Sequence, residues 1–172
     1  MSNSLFAAGS AVPSMTFETV GGGSATVGGA KDRWTLFVVY RGKHCGRCKP
    51  YLTKLEGMKP AWEEAGFDIV AVSADTNEKA SADVEEYGWT FPVGYGLTED
   101  QMRALGLYIS SPLTASETDR NFAEPGVYCI QPDGTALLIC VSNGPSARPD
   151  LDQLLDGMIF TIKNDRPPRG TV

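Results

Sequence analysis

The sequence has no apolar run long enough to cross a membrane and no excess of basic residues. Its longest strongly apolar stretch, residues 36–40, is about five residues long, whereas a membrane span needs roughly 18. The first residues include neither a basic segment nor an apolar core of the secretory kind, so we expect a cytoplasmic protein without membrane contact. Fifteen basic against 21 acidic side chains give a net charge of −6, which argues against a nucleic-acid partner.

Cysteine is too scarce for a disulfide scaffold, with four residues in 172. Cys45 and Cys48 form a Cys-x-x-Cys motif, which in a cytoplasmic chain is typical of redox chemistry or of one half of a metal site. Zinc takes four ligands, and Cys129 and Cys140 lie on a predicted hairpin with ten residues between them. We therefore favour redox chemistry, expect no metal or cofactor, and expect Cys129 and Cys140 to be small apolar core residues.

The composition is that of one globular domain, with 42% hydrophobic and 21% charged residues. Residues 12–163 are expected to form this domain. Residues 1–11 are small and polar, and residues 164–172 are rich in proline and charge, so we expect a flexible N-terminus and a flexible C-terminal tail.

The apolar pattern predicts an α/β fold, with a central mixed β-sheet, helices on both of its faces and an N-terminal β-hairpin. Gly57 and Pro60 predict a kink or break in the first helix, and residues 109–124 are expected to form a long loop. Pro149 is expected in the first turn of the last helix. The predicted strands are 15–19, 25–27, 35–40, 67–74, 126–131 and 135–141, and the predicted helices are 46–65, 76–87, 98–105 and 149–162.

The Cys-x-x-Cys motif lies where the first buried strand gives way to its helix, and sites in open α/β sheets gather at the carboxyl ends of strands. A helix N-terminus and nearby cations both lower the pKa of a thiol, so we expect Cys45 to be the attacking thiolate. Cys48, one turn later, is expected to be more buried, less ionised and placed to resolve. The nearby cations are Arg41, Lys43, Arg47 and Lys49, with the only histidine, His44, beside Cys45.

Each supporting residue also has an interpretation without function. The cations can be a solvated rim, and His44 can be a solvated neighbour rather than an acid or base. Pro125 precedes a predicted strand, where it is either a cis residue in a tight turn or an ordinary strand start. The Glu124 carboxylate either approaches Cys45, raising its pKa or acting as a base, or faces solvent.

The segments TLFVVYRGKHCGRCKPYL, FDIVAVSAD, FPV, EPGVYCIQPDG and RPDLDQLL resemble the peroxiredoxin-like branch of the thioredoxin-fold superfamily, the alkyl hydroperoxide reductase and thiol-specific antioxidant group. The resemblance runs from about residue 12 to residue 162. It implies a thioredoxin-like fold with Cys45 as the attacking cysteine, Cys48 as its disulfide partner and Pro125 as the cis-proline that faces them. It also implies a disulfide or peroxide substrate and a thioredoxin- or glutathione-type reductant, and it allows a homodimer.

The chain departs from this family at three positions around the attacking cysteine. The family's threonine position is Gly42, its proline position is Val38, and Glu124 and Pro125 occupy the place of its arginine. Arg41 and Arg120 are the candidates to supply a guanidinium instead. Because the threonine and arginine hold the peroxide in relatives, the sequence favours a thiol–disulfide oxidoreductase.

Two other functions stay open. One is a thiol peroxidase that reduces hydrogen peroxide or alkyl hydroperoxides through a Cys45 sulfenic acid. The other is a non-catalytic protein that binds a partner through the 109–124 loop.

Overall fold

The computed structural model describes residues 6–172 and contains nine strands and four helices in that part of the chain. The strands are β1 (Met15–Glu18), β2 (Ser24–Val27), β3 (Trp34–Val39), β4 (Phe67–Val72), β5 (Val93–Gly94), β6 (Ile109–Ser110), β7 (Phe122–Ala123), β8 (Gly126–Ile130) and β9 (Ala136–Val141). The helices are α1 (Cys48–Glu64), α2 (Asn77–Tyr87), α3 (Glu99–Ala104) and α4 (Leu151–Lys163).

A five-stranded mixed sheet in the order β5-β4-β3-β8-β9 forms the centre of the fold. Strands β3, β4 and β5 are parallel, whereas β8 is antiparallel to β3 and β9 is antiparallel to β8. Strands β3 and β9 therefore run in the same direction, and their carboxyl ends lie at the same edge of the sheet. The predicted N-terminal hairpin is confirmed, because β1 pairs with β2 in antiparallel register.

Both faces of the central sheet are buried, which explains the nearly continuous apolar run of β3. Leu36 and Val38 pack in one core cluster with residues of α1 and α4. Phe37 and Val39 point the other way, into a second cluster that includes Met102 of α3. The predicted helices on both faces are thus confirmed.

Local capping signals fix two of the helices as the sequence predicts. The Thr76 hydroxyl accepts a hydrogen bond from the backbone N–H of Lys79 at the start of α2, and Gly88 ends that helix with a φ of 69°. Thr98 and Gln101 form a reciprocal capping box at the start of α3.

The first helix differs from its prediction in where it begins and in its continuity. It starts at Cys48 rather than near residue 46, and it runs through Gly57 and Pro60 without the expected break. Leu52 and Leu55 before the proline and Trp62 after it are all fully buried. Packing on both sides of Pro60 therefore keeps the helix continuous, despite the hydrogen bond that the proline removes.

The last helix begins later than predicted. The carboxylate of Asp150 accepts a hydrogen bond from the backbone N–H of Gln153 and caps α4, so Pro149 lies just outside the helix. Not every apolar residue of α4 is buried. Leu151 and Met158 face the core, whereas Ile159 is 47% exposed.

The expected long loop at residues 109–124 contains a short ladder. Ile109 pairs with Ala123 and Ser110 with Phe122, which folds the segment back on itself as β6 and β7. This pairing was hidden in the sequence because two-residue strands carry no periodic pattern.

The flexible N-terminus at residues 1–11 and the flexible tail at residues 164–172 stay predictions. Residues 1–5 lie outside the described part of the chain, whereas the backbone N–H of Gly9 donates to the Ala136 carbonyl at 2.7 Å. Within residues 6–172, no helix combines the length and apolar character that crossing a membrane requires.

Candidate active site

The loop after β3 is fixed by a glycine and a buried carboxylate. Gly42 has a φ of 130°, and a Cβ at this position would lie 2.6 Å from Oδ1 of Asp75. The backbone N–H of Lys43 donates to Oδ2 of Asp75 at 2.8 Å. Since only glycine fits this close approach, the two contacts determine where the following residues, including Cys45, are placed.

The Cys45 sulfur is buried and surrounded by hydrogen-bond donors. Nη2 of Arg148 lies 3.9 Å from it, and the Cys48 thiol, the Arg41 side chain and the backbone N–H groups of Arg47 and Cys48 all favour its thiolate form. The Cys48 bond, with help from these other donors, lowers the pKa of Cys45 well below that of a free thiol and outweighs the opposing effect of burial. Cys45 precedes α1 instead of lying in its first turn, and its backbone carbonyl accepts a hydrogen bond from the N–H of Cys48 at 3.3 Å.

Cys48 has the opposite ionisation. Its hydrogen bond to Cys45 and its burial raise its pKa, so it is a neutral thiol beside a thiolate. Cys48 is only 1% exposed, and all four cysteines are free thiols. The expected arrangement, an ionised Cys45 one turn before a buried and neutral Cys48, is present.

Arg41 is a residue of the predicted basic cluster whose side chain favours the Cys45 thiolate. Its Nε lies 3.0 Å from Oε2 of Glu124 as an ion-pair contact without hydrogen-bond alignment, and its Nη2 donates to Oε1 of the same residue at 3.4 Å. Its guanidinium also lies 4.9 Å from the ring centre of Phe122 and 3.8 Å from a carboxylate oxygen of Glu117. The guanidinium is thus held between two acids, an aromatic ring and the reactive sulfur.

Glu124 serves as the partner of Arg41 in this arrangement. It is only 4% exposed, which rules out the solvent-facing interpretation, and the Ser110 hydroxyl donates to its Oε1 at 2.8 Å. The Glu124 carboxylate therefore forms an ion pair with Arg41 and does not act directly on Cys45. The short β6–β7 ladder brings Ser110 to this carboxylate.

Pro125 is not a cis residue, because residues 6–172 contain no cis peptide bond. The backbone N–H of Glu124 donates to the Tyr108 carbonyl at 2.9 Å, and the Pro125 carbonyl accepts from Ser142 at 3.1 Å. The chain is therefore held between neighbouring strands on both sides of this bond, and the trans form continues β7 directly into β8. The cis prediction, which came from the family resemblance, is wrong.

Arg148 is the site residue that the sequence analysis missed. Its Nη2 lies 3.2 Å from the Cys48 sulfur and 3.9 Å from the Cys45 sulfur. Its Nε donates to the Pro145 carbonyl at 2.7 Å, and its guanidinium lies 5.1 Å from the ring centre of Tyr51. The topology held a signal for it, because the segment after β9 leaves the sheet at the edge where β3 also ends.

The remaining predicted cations and His44 have other roles. Lys49 lies 3.8 Å from the buried Asp83, and Arg120 pairs with Asp119. Burial, with the nearby Arg41 charge, lowers the pKa of His44, so the ring is neutral at pH 7 and adds no positive charge beside Cys45. Its ring packs against Phe122 with 4.5 Å between ring centres.

Cys129 is fully buried in the core, as predicted, whereas Cys140 is only partly buried and packs against that core. Cys129 faces Leu138 and Cys140 faces Val127, so the two cysteines are diagonal neighbours on one face of the sheet. Diagonal neighbours lie about 7–8 Å apart, beyond the usual reach of a disulfide. Among residues 6–172, no three His, Cys, Asp or Glu side chains form a group that could hold a metal ion.

Comparisons with known proteins agree with this fold. The model of the AhpC/TSA family matches residues 8–137. A probable 1-Cys peroxiredoxin of Syntrichia ruralis is 26% identical over 156 residues, which are 87% of this chain and 71% of that protein. Similar solved structures include a peroxiredoxin-like protein from Aquifex aeolicus, with 17% identity, a TM-score of 0.76, and coverage of 90% of this chain and 86% of that one. The peroxidoxin BcpB of Mycobacterium tuberculosis has 14% identity, a TM-score of 0.71, and coverage of 92% and 97%.

Proposed function

The chain belongs to the AhpC/TSA family and is a peroxiredoxin-like, thiol-dependent oxidoreductase, and from this premise we propose that it is a thiol peroxidase. In this proposal Cys45 reacts with hydrogen peroxide or an alkyl hydroperoxide, and Cys48 resolves the product. The observation that carries the proposal is the buried Cys45 sulfur, stabilised as a thiolate by the Cys48 thiol and Arg41.

The peroxidase step needs a thiolate and a positive group beside it. The Cys45 thiolate attacks one peroxide oxygen, the O–O bond breaks, and the second oxygen takes a proton from solvent water and leaves as water or an alcohol. The sulfur becomes a sulfenic acid, two electrons more oxidised. Arg41, which contacts the sulfur, would stabilise the negative charge as it moves to the leaving oxygen.

The second step forms a disulfide. The Cys48 sulfur attacks the Cys45 sulfur, the S–O bond breaks, and the hydroxide leaves as water with the proton that Cys48 gives up. The hydrogen bond between the two thiols supports this step, since it already holds Cys48 next to the sulfur that it would attack. A thioredoxin- or glutathione-type thiol would then reduce the Cys45–Cys48 disulfide, and homodimer formation stays a prediction.

Two features favour peroxide over disulfide exchange as the first reaction. Arg41 and Arg148 supply guanidinium groups at the sulfurs, although the family's arginine position is occupied by Glu124 and Pro125. Cys45 is also only 2% exposed, which suits a substrate as small as a peroxide better than a protein disulfide.

Stopped-flow tryptophan fluorescence of the reduced protein mixed with hydrogen peroxide tests the proposal. Trp89 is the suitable reporter, because its ring lies 6.2 Å from that of Tyr40, at the site end of β3, whereas Trp34 lies at the other end of this strand. We expect a rate at least about a hundredfold above that of free cysteine, consistent with the size of a preorganised electrostatic effect. Cys45→Ser should abolish the reaction, and Cys48→Ser should stop it at the sulfenic acid. A rate equal to that of free cysteine would exclude the peroxidase.

Thiol–disulfide exchange is the second candidate, and a groove beside the site favours it. This groove of about 540 Å³ lies between β9 and the segment before α4, and Pro125, Val127 and Ile139 contribute to its mostly apolar lining. Arg148 lines the groove and also contacts both sulfurs. Reduction of insulin disulfides, dependent on Cys45 and without fast peroxide reduction, would support this candidate. If neither reaction occurs, the non-catalytic binding protein is favoured.

A further inference from the structure

Arg148 reaches the active site from a segment one hundred residues beyond Cys48, and its position is well defined. Its Nη2 is closer to the Cys48 sulfur, at 3.2 Å, than to the Cys45 sulfur, at 3.9 Å. The Pro145 carbonyl accepts a hydrogen bond from its Nε, and Tyr51 packs against the guanidinium. The Tyr51 hydroxyl in turn donates to the Pro149 carbonyl at 2.9 Å. The guanidinium is therefore fixed by the Pro145 carbonyl and by the Tyr51 ring, which is itself bonded to Pro149.

Cys48 must change its ionisation during the proposed reaction. In the reduced protein it is a neutral thiol that donates to Cys45, but to form the disulfide it must give up its proton and act as a nucleophile. The ionisable groups with the largest effects on its pKa are Cys45, which raises it, and Arg148, which lowers it. The chain therefore needs a group that favours the Cys48 thiolate at the right moment.

We propose that Arg148 activates Cys48 as the resolving nucleophile, and that it does so only after Cys45 has been oxidised. This inference rests on the proposed function and assigns one of its steps. While Cys45 is a thiolate, its charge and its hydrogen bond keep the proton on Cys48. Oxidation to the sulfenic acid removes that negative charge, and the Arg148 guanidinium then stabilises the thiolate that forms on Cys48.

The order of events follows from charge alone. Before oxidation, the guanidinium neutralises part of the Cys45 charge from 3.9 Å, and Cys48 stays protonated. After oxidation, burial opposes the Cys48 thiolate, while Arg148 favours it from 3.2 Å. The proton released by Cys48 leaves with the sulfenic hydroxide as water, so the step balances without another reactant.

Arg148→Met, compared with Arg148→Lys, tests this role in the full chain. Each reduced variant is mixed with one equivalent of hydrogen peroxide, and two rates are followed. Loss of the Cys45 thiolate reports the first step, and mass spectrometry after quenching reports the Cys45–Cys48 disulfide. A cyclic 1,3-diketone, which reacts with sulfenic acids, traps the intermediate.

We expect Arg148→Met to slow disulfide formation at least about tenfold while the first step changes much less, so that the trapped sulfenic acid accumulates. Arg148→Lys keeps the charge and should recover part of the rate. In Arg148→Met, the second step should also become faster as pH rises, because Cys48 then loses its proton to hydroxide without the help of the guanidinium charge. Arg103→Met, the same substitution at an exposed position on α3, should leave both rates unchanged.

Three results would overturn the proposal. Equal disulfide-formation rates in wild type and Arg148→Met would remove the role. An equal slowing of both steps would place the effect on Cys45 instead of Cys48. If urea denaturation shows that both variants are folded and Arg148→Lys still does not recover the rate of disulfide formation, Arg148 has a structural role. If the wild-type protein forms no Cys45–Cys48 disulfide with peroxide, the proposed function itself fails.

Discussion

At the scale of single residues, the site is organised around two arginines, of which the sequence analysis identified only one. Arg41 lies four residues before Cys45 and was named as a candidate from the sequence, whereas Arg148 lies in the segment between β9 and α4. Each contacts a reactive sulfur, and each is fixed by other groups. Substitutions at these positions and at their partners are therefore the most direct tests of how the thiolate is maintained.

Arg41→Met should raise the pKa of Cys45, because a hydrogen bond and a positive charge are removed from the thiolate. We expect the peroxide reaction at pH 7 to slow by about tenfold or more. The ultraviolet absorbance of the thiolate, followed against pH in the Cys48→Ser background, measures the pKa directly. Arg41→Lys, which keeps the charge, serves as the control, and an unchanged titration in Arg41→Met would contradict the role.

Glu124→Gln should lower the pKa of Cys45. Glutamine keeps the size of the side chain and an oxygen for the Ser110 hydroxyl, but it removes the carboxylate charge that offsets Arg41. The unbalanced guanidinium then favours the thiolate more strongly, by up to about one pKa unit. The same thiolate titration measures this shift. A rise in the pKa would show instead that Glu124 acts mainly by holding Arg41 in place.

The residue roles divide into those that the sequence could predict and those that it could not. The spacing and position of Cys45 and Cys48 were visible in the sequence, because the Cys-x-x-Cys motif follows a buried strand and precedes a helix. The partners of the charged side chains were not visible. Glu124 could equally face Cys45, solvent or Arg41, and only the three-dimensional arrangement selects one of these.

At the scale of elements, the loop between β3 and α1 depends on Gly42. Gly42→Ala should lower the free energy of unfolding by about 1–3 kcal/mol, because alanine is strained at a φ of 130° and its Cβ would overlap Asp75. Urea denaturation measures the loss. Gly46→Ala is the matched control, since a Cβ there meets nothing within 4 Å and its φ is not positive. Equal stabilities for the two variants would contradict the role of Gly42.

Helix α1 offers the reverse prediction. Gly57 lies in its interior, and a Cβ at this position meets nothing within 4 Å. Gly57→Ala should therefore raise the free energy of unfolding by about 0.5–1 kcal/mol, the difference in helix propensity. Urea denaturation measures this change. A midpoint for Gly57→Ala that is unchanged or lower, with the same dependence of the free energy of unfolding on urea concentration, would mean that the helix needs flexibility at this point.

At the scale of the whole molecule, the low pKa of Cys45 links folding to pH. An unfolded cysteine has a pKa of about 8.5, so near pH 7 the unfolded chain binds more protons at this residue than the folded chain does. The folded state therefore gains stability as pH rises towards 8.5. It loses this gain as pH falls through the lower, folded-state pKa.

Urea unfolding of the reduced wild type and of Cys45→Ser between pH 6 and pH 8 measures this linkage. The stability difference should grow with pH, by at most about 1.4 kcal/mol per pH unit. Burial raises the pKa of Asp75 and Asp83, which acts with the opposite sign from about pH 4 upward, but both proteins share that effect. Parallel curves would show that Cys45 is not ionised in the folded state.

The global fold was more predictable from the sequence than its connections. Strands β3, β4, β8 and β9 and the caps of α2 and α3 follow from apolar runs and capping residues. The β6–β7 ladder, the continuous α1 and the trans Pro125 depend on contacts between distant parts of the chain. Patterns of neighbouring residues carry no information about such contacts. The predicted break in α1 came from a local signal, and the predicted cis Pro125 came from a local signal together with the family resemblance.

The contact between the two active-site thiols also bears on how long the protein survives an excess of oxidant. A cysteine that remains a sulfenic acid can react with a second peroxide and become a sulfinic acid, which thiols do not reduce. Here the neighbouring thiol is already in hydrogen-bond contact, so the internal reaction has the advantage of a very high effective concentration. Such a molecule is expected to be recycled many times under oxidative stress rather than be consumed by it.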